Sequence, residues 1–177
     1  MKQILLTIFF LTSLIISQLR VGVDMSRKMT EKITVLKSNT KIDGVGFTLG
    51  YEKILLSLVG VGAEYTVGGD YMDTIQGYAV AKVPVGVPML RGVVRLGYSK
   101  ILGDWEKDYD GGLSYGFGVR LKLPVIPIGI EALYSIHELE KKSKDVEDVE
   151  DVEDVANLFG QYEISNTILN LTATYSF

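Results

Sequence analysis

The sequence predicts an all-β chain: an eight-stranded antiparallel up-and-down transmembrane β-barrel, preceded by a signal peptide. Three observations carry that expectation. Apolar residues alternate with a period of two along most of the chain, the connections alternate between short and long, and the polar face of the strands is built mainly from Gly, Ser and Thr.

The alternation is plainest in 111–123. There Leu113, Tyr115, Phe117, Val119, Leu121 and Leu123 share one face, opposite Ser114, Gly116, Gly118, Arg120 and Lys122. The last segment repeats it, with Leu169, Leu171, Ala173, Tyr175 and Phe177 on one side. The same rule picks out Leu19 to Met25, Val45 to Tyr51, Val59 to Val67, Gly77 to Val85, Val94 to Ser99 and Ile128 to His137. Between them, Glu52 to Ile54, Pro84 to Leu90 and Pro124 to Pro127 read as short turns. Ser26 to Asp43, Gly68 to Thr74, Lys100 to Asp110 and Glu138 to Glu163 read as long polar loops. An up-and-down barrel with both termini at one end must send alternate connections to opposite ends.

Ahead of these strands, Lys2 supplies a positive charge and Ile4 to Ile16 is an apolar run of thirteen residues. That length suits a signal-peptide core and is too short for a spanning helix. The expected division is a signal peptide over 1–17, cleaved near Ser17, and a barrel domain over 18–177. An uncleaved buried or anchoring helix is the competing reading.

Composition closes other classes. A net charge of −4 without a long basic stripe offers nothing to a phosphate backbone, so nucleic acid is not an expected partner. The chain has no Cys, which removes disulfides, thiolate nucleophiles, Cys-ligated metals and a lipid anchor on Cys. His137 is the sole histidine, so no His pair can hold a metal. Neither a metal nor a cofactor is expected.

Which face meets lipid follows from the polar side. A soluble barrel would show water a face dense in Lys, Glu and Asp; small residues with a few charges of both signs suit a narrow, side-chain-filled lumen instead. On that register Glu64, Lys82, Arg95, Arg120, Lys122 and Glu131 project inward and are expected to pair as a lumen charge network. Two uses stand open for such a network, a structural plug and a gate or proton path. The plug is favoured because a narrow lumen must be filled in any case. Aromatic side chains should form girdles at the two membrane interfaces. Phe47, Tyr65, Tyr98, Tyr115 and Tyr134 fall toward one rim, and Tyr51, Tyr175 and Phe177 toward the other.

The terminal pattern of Leu171, Tyr175 and a final Phe177, with Gly60-Val61-Gly62 and Gly116-Phe117-Gly118 within strands, carries a resemblance. The chain resembles the small outer-membrane β-barrel families typified by OmpX and the barrel domain of OmpA, the porin-family type of barrel. The resemblance implies residence in the bacterial outer membrane among lipid and lipopolysaccharide. It also implies that Leu171, Tyr175 and Phe177 serve as the signal read by the barrel-assembly machinery. It further implies a non-enzymatic role, with the barrel as scaffold and external loops free for surface interaction or envelope integrity through an unknown ligand.

Two alternatives accompany it. A lipid A-modifying enzyme would need His137 and Ser135 to face lipid, whereas the register points both inward. A secreted lipocalin-like barrel would turn the apolar face inward around a ligand. Two loop features stand beside these. The run from Asp145 to Asp154 holds seven carboxylates in ten residues, which reads as a solvated loop more than a divalent-cation site. Trp105, among charges in another loop, reads as an anchor at the membrane interface more than a recognition hot spot.

Overall fold

The computed structural model describes residues 15–33, 36–42, 45–69, 72–142 and 163–177. Nine strands follow in order: β1 (Ile15–Ile33), β2 (Leu36–Ile42), β3 (Phe47–Leu55), β4 (Val59–Val67), β5 (Asp73–Pro84), β6 (Leu90–Leu102), β7 (Tyr109–Lys122), β8 (Ile128–Lys141) and β9 (Glu163–Ser176). Consecutive strands pair antiparallel except β2 with β3, which both pair with β1, and β9 returns to pair with β1, closing the sheet on itself. The 19-residue β1 pairs through Ile15–Val23 with β3 and through Arg27–Ile33 with β2. β2 and β3 are therefore two halves of one stave, and the barrel has eight staves.

Three boundaries differ from the sequence expectation. Much of the long loop expected over Ser26 to Asp43 is instead the upper half of the first hairpin, entered through a bulge between Asp24 and Ser26. The bulge puts an extra residue in β1, so the inward series runs Arg20, Gly22, Asp24 and then Arg27, Met29. Glu52 to Ile54, expected as a turn, is strand, and the turn falls at Leu56 and Ser57. Both have positive φ, 52° and 59°, and Leu58 N–H donates to the Leu55 carbonyl at 3.0 Å. Two successive left-handed residues match the twist of a hairpin, but the sequence supplies neither Gly nor Asn there. Ser57→Gly should accordingly stabilise the barrel by about 0.5–1 kcal/mol, read as a higher urea midpoint for unfolding from vesicles. Lastly, the loop expected over Lys100 to Asp110 shrinks to a single 3-10 turn, Gly103–Lys107, between β6 and β7.

Of the segment expected as a signal peptide over 1–17, residues 1–14 lie outside the described residues, while Ile15, Ile16 and Ser17 form rungs of β1 opposite Leu55, Ile54 and Lys53. Ser17 also exchanges both backbone hydrogen bonds with Phe177, at 3.3 and 2.9 Å. The run from Asp145 to Asp154 lies outside the described residues altogether.

The barrel is inside-out relative to a soluble protein. Leu49, Val61, Val94, Leu96 and Phe117 project outward and are each more than half exposed, while Arg20, Glu52 and Glu131 project inward at 0%. An apolar exterior around a charged interior has no place in water, where the outer face would lose its hydrophobic stabilisation and the inner charges would stay desolvated. It is the arrangement of a transmembrane barrel. The outward apolar belt on β8 runs from Ile128 to Ile136 and stops at Glu138 and Glu140. On β6 it stops at Lys100 and on β5 at Asp73. β6 to β9 continue past that edge, so their upper ends stand above the belt.

Candidate functional site: the charged lumen

Period two dictates that every second residue of each strand faces the lumen, and at mid-height the inward residues are ionic. β1 supplies Arg20, β3 Glu52, β4 Glu64, β5 Tyr78 and Lys82, β6 Arg95 and β8 Glu131. Arg95 Nη2 donates to Glu52 Oε1 at 2.9 Å and to Glu131 Oε1 at 2.7 Å, and Nη1 donates to Glu64 Oε2 at 3.0 Å. Arg20 Nη2 donates to Glu131 Oε1 at 2.9 Å, while its Nη1 stands 3.1 Å from Glu52 Oε1, off the hydrogen-bond direction. Lys82 Nζ donates to Glu52 Oε2. Tyr78 closes the group: its hydroxyl donates to Glu52 Oε1 at 3.0 Å, and its ring lies under the Arg95 guanidinium at 4.4 Å. A Cβ on Gly62 would come within 2.8 Å of both the Tyr78 ring and Glu52 Cγ, so glycine there makes the room they occupy.

Five of the six residues expected in the lumen network, Glu64, Lys82, Arg95, Arg120 and Glu131, are thus inside the barrel. Glu64, Lys82, Arg95 and Glu131 join one cluster. Arg120 is buried lower down, donating to Gln18 Oε1 and to Thr174 Oγ1. Lys122 is a correction. It faces inward by parity but stands on the last rung of β7, where the lumen opens to solvent, and it is exposed. Sequence reasoning missed Arg20, Glu52 and Tyr78. Arg20 and Tyr78 had the right parity for the lumen, and Glu52 was hidden by the misplaced turn.

Above the cluster, Arg27 is paired with Asp24, which accepts from Asn170 Nδ2 at 2.7 Å. Near the top, Met29, Met72, Ile101, Leu139 and Ile164 form an apolar plug. Trp105 packs on it with Tyr109, the two ring centres 5.8 Å apart. Trp105 is therefore a second correction: the 3-10 turn folds the indole over the mouth of the lumen instead of out to the membrane interface. Ile101 lies in this plug at 1% exposure, so Ile101→Val should destabilise by about 0.5–1.5 kcal/mol, measurable as a lower urea midpoint.

Ser135 and His137 both point into the lumen and are buried. His137 pairs across the β8–β9 ladder with Asn166, and among the described residues His137 Nδ1 and Asn166 Oδ1 have no hydrogen-bond partner.

The eight aromatic residues expected at the membrane interfaces all project outward. Phe47, Tyr65, Tyr98, Tyr115 and Tyr134 lie in the upper part of the belt, with the Tyr98 hydroxyl donating to the Gly111 carbonyl at 2.8 Å and the Tyr65 hydroxyl to Asp73 Oδ2 at 3.0 Å. At the other edge Tyr51, Tyr175 and Phe177 form one cluster at the β1–β9 seam. The Phe177 ring centre is 6.5 Å from that of Tyr51 and 6.2 Å from that of Tyr175. The Tyr51 hydroxyl donates to Ser17 Oγ at 2.9 Å. Leu171 also faces outward, four rungs above Tyr175.

No protein-family model and no curated protein matches the chain. Among solved structures it is similar to Neisserial surface protein A, NspA, at 9% identity over 91% of this chain and 97% of that one, with a TM-score of 0.49. The N-terminal β-barrel domain of Pseudomonas aeruginosa OprF matches at 8% identity, covering 89% of this chain and 97% of that one, TM-score 0.48. Ail, the attachment invasion locus protein of Yersinia pestis in complex with the heparin analogue sucrose octasulfate, matches at 16%, covering 92% and 99%, TM-score 0.44. At those identities and TM-scores, nothing about what these proteins bind or do passes to this chain.

Proposed function

We propose that this chain is a non-enzymatic integral protein of a bacterial outer membrane, whose barrel is a plugged scaffold and whose long connections carry any surface contact. The observation behind this reading is the filled lumen. The Arg20, Glu52, Arg95 and Glu131 side chains meet across it, and the Met29–Ile164 plug with Trp105 covers one mouth. An eight-stave barrel has room for side chains and little else, so a filled lumen favours a scaffold over a conduit. Short turns face the periplasm and long connections the outside in outer-membrane barrels, which puts the plugged mouth outward. Lipid and lipopolysaccharide then surround the belt, and Leu171, Tyr175 and Phe177 present their outward edge to the assembly machinery during insertion.

The test is membrane fractionation of the expressed chain, then detergent gels with and without boiling, then planar-bilayer recording. Recovery with the outer membrane, a heat-dependent mobility shift and no sustained ohmic current are expected; a steady open conductance would replace the scaffold with a pore. The lipid A-modifying alternative is disfavoured by the inward, buried Ser135 and His137. Accordingly Ser135→Ala with His137→Ala should leave the lipid A mass spectrum of the host unchanged. The lipocalin-like alternative would need an apolar interior around a ligand, and the interior here is crossed by a buried ionic cluster.

A further inference from the structure

The charges of the lower lumen do not balance. Arg20, Lys82 and Arg95 are matched by Glu52, Glu64 and Glu131 in the central cluster. Arg120 stands outside that balance. It is 3% exposed, and among the described residues no carboxylate lies within ion-pairing distance of it. Its Nη1 donates to Gln18 Oε1, and the same oxygen accepts from Lys82 Nζ at 2.9 Å. Two cations therefore share one neutral amide oxygen, in a place where a buried guanidinium calls for a counter-charge.

Two more cations stand at the same mouth. Arg91, half-buried, and Lys122, exposed, line with Gln18, Lys82 and Arg120 a cavity of about 30 Å³. Neither has an ion-pair partner among the described residues, and the turns at this end, 56–58, 85–89 and 123–127, contain no carboxylate. Those turns are also apolar and exposed at Leu56, Leu58, Val87, Met89, Val125 and Ile126. Apolar turn tips bring this end of the barrel to the level of the membrane interface, among phospholipid headgroups.

We propose that the short-turn mouth is an oxyanion site that takes one phosphate group. The cavity has room for a single oxygen, with Arg120, Lys82 and the amide group of Gln18 around it. The rest of the group would sit at the opening between Arg91 and Lys122, where guanidinium forks and an ammonium supply charge-assisted donors. Free phosphate and the phosphodiester of a lipid headgroup offer the same chemistry. The site requires only the barrel, so its failure would leave the scaffold reading untouched.

The full chain, refolded in octyl glucoside without phosphate, tests this through the midpoint of heat conversion between the folded and unfolded gel bands. Inorganic phosphate should raise the midpoint saturably above sodium chloride at equal ionic strength. Gln18→Glu places a carboxylate between Lys82 and Arg120; it should raise the midpoint in the absence of phosphate and abolish the phosphate increment. Arg120→Gln should also abolish the increment, and Gln18→Glu keeps the test decisive if Arg120→Gln fails to fold. A second arm compares vesicles of phosphatidylglycerol with vesicles of a phosphate-free galactolipid, both in phosphate-free buffer. A phosphatidylglycerol increment lost in Gln18→Glu identifies the headgroup as the source, and a response to inorganic phosphate alone identifies the free ion. An equal response to chloride, an increment that survives in Gln18→Glu, or none in either arm would overturn the proposal.

Discussion

Glu52→Gln should destabilise the folded barrel by about 3–5 kcal/mol, the cost of removing one partner from a buried ionic group and leaving the others unmatched. Glu52 is fully buried and receives Arg20, Lys82 and Arg95 as well as the Tyr78 hydroxyl. The amide keeps the volume and one acceptor oxygen but removes the charge, so three cations are left facing Glu64 and Glu131. Urea unfolding from lipid vesicles, followed by the mobility of the unboiled protein, reads the loss. The charge-balancing double variant Glu52→Gln with Lys82→Gln separates lost charge from lost packing. It should recover a substantial part of the stability, because the two remaining cations again match two carboxylates. A double variant no more stable than the single one would mean that Glu52 acts through its hydrogen bonds to Tyr78 and Arg95, and not through charge.

Why Glu52 was not legible in the sequence, while Glu131 was, has a physical answer. Period-two patterning is enforced where one face of a strand meets lipid and the other meets the lumen. Ile130, Ala132 and Tyr134 alternate around Glu131 within that zone, and its orientation follows directly. Glu52 is followed by Lys53, an outward residue at the lower edge of the belt, so Glu52-Lys53 reads as a polar break and draws the turn toward it. The actual turn, Leu56-Ser57, carries no Gly or Asn to advertise it. The upper hairpin was lost for the complementary reason. It stands beyond the belt, and the β2 sequence, Leu-Lys-Ser-Asn-Thr-Lys-Ile, carries no apolar stripe. Tyr78 shows a third limit: parity sends it inward, but an aromatic in a barrel strand is more readily assigned to the lipid face. Inside, it is held by its contacts with Arg95 and Glu52 and by packing on Ile54, Val80, Val93 and Leu133. Pattern therefore gave the closed barrel and most of the inward charges. It could not give the three-dimensional pairing that makes Arg20 and Glu52 central, because partners such as Arg20 and Glu131 lie 111 residues apart.

Leu96→Arg, at the middle of the outward belt, should destabilise the barrel in a bilayer by about 2–4 kcal/mol, the depth-dependent cost of a cation on the lipid face. Leu96 is 56% exposed and pairs across β6 with Ala79 on one side and Tyr115 on the other, both outward. No lumen contact is disturbed by the change, so the effect isolates the solvent outside the barrel. Lys100, two outward positions higher, already carries a charge at the edge of the belt, and Lys100→Arg should change stability by less than about 0.5 kcal/mol. The gradient between the two sites is the discriminating quantity. If lipid surrounds the belt, the new cation of Leu96→Arg must be costly while the cation-for-cation change at Lys100 is not. If water did, Leu96→Arg would be neutral or would raise solubility, since it would remove an exposed apolar side chain. The measurement is the urea midpoint in vesicles for each variant, with refolding yield in detergent as a check that the chain reaches the barrel. A flat profile would remove the bilayer from the explanation of this surface, and with it the reason the chain can afford an ionic interior.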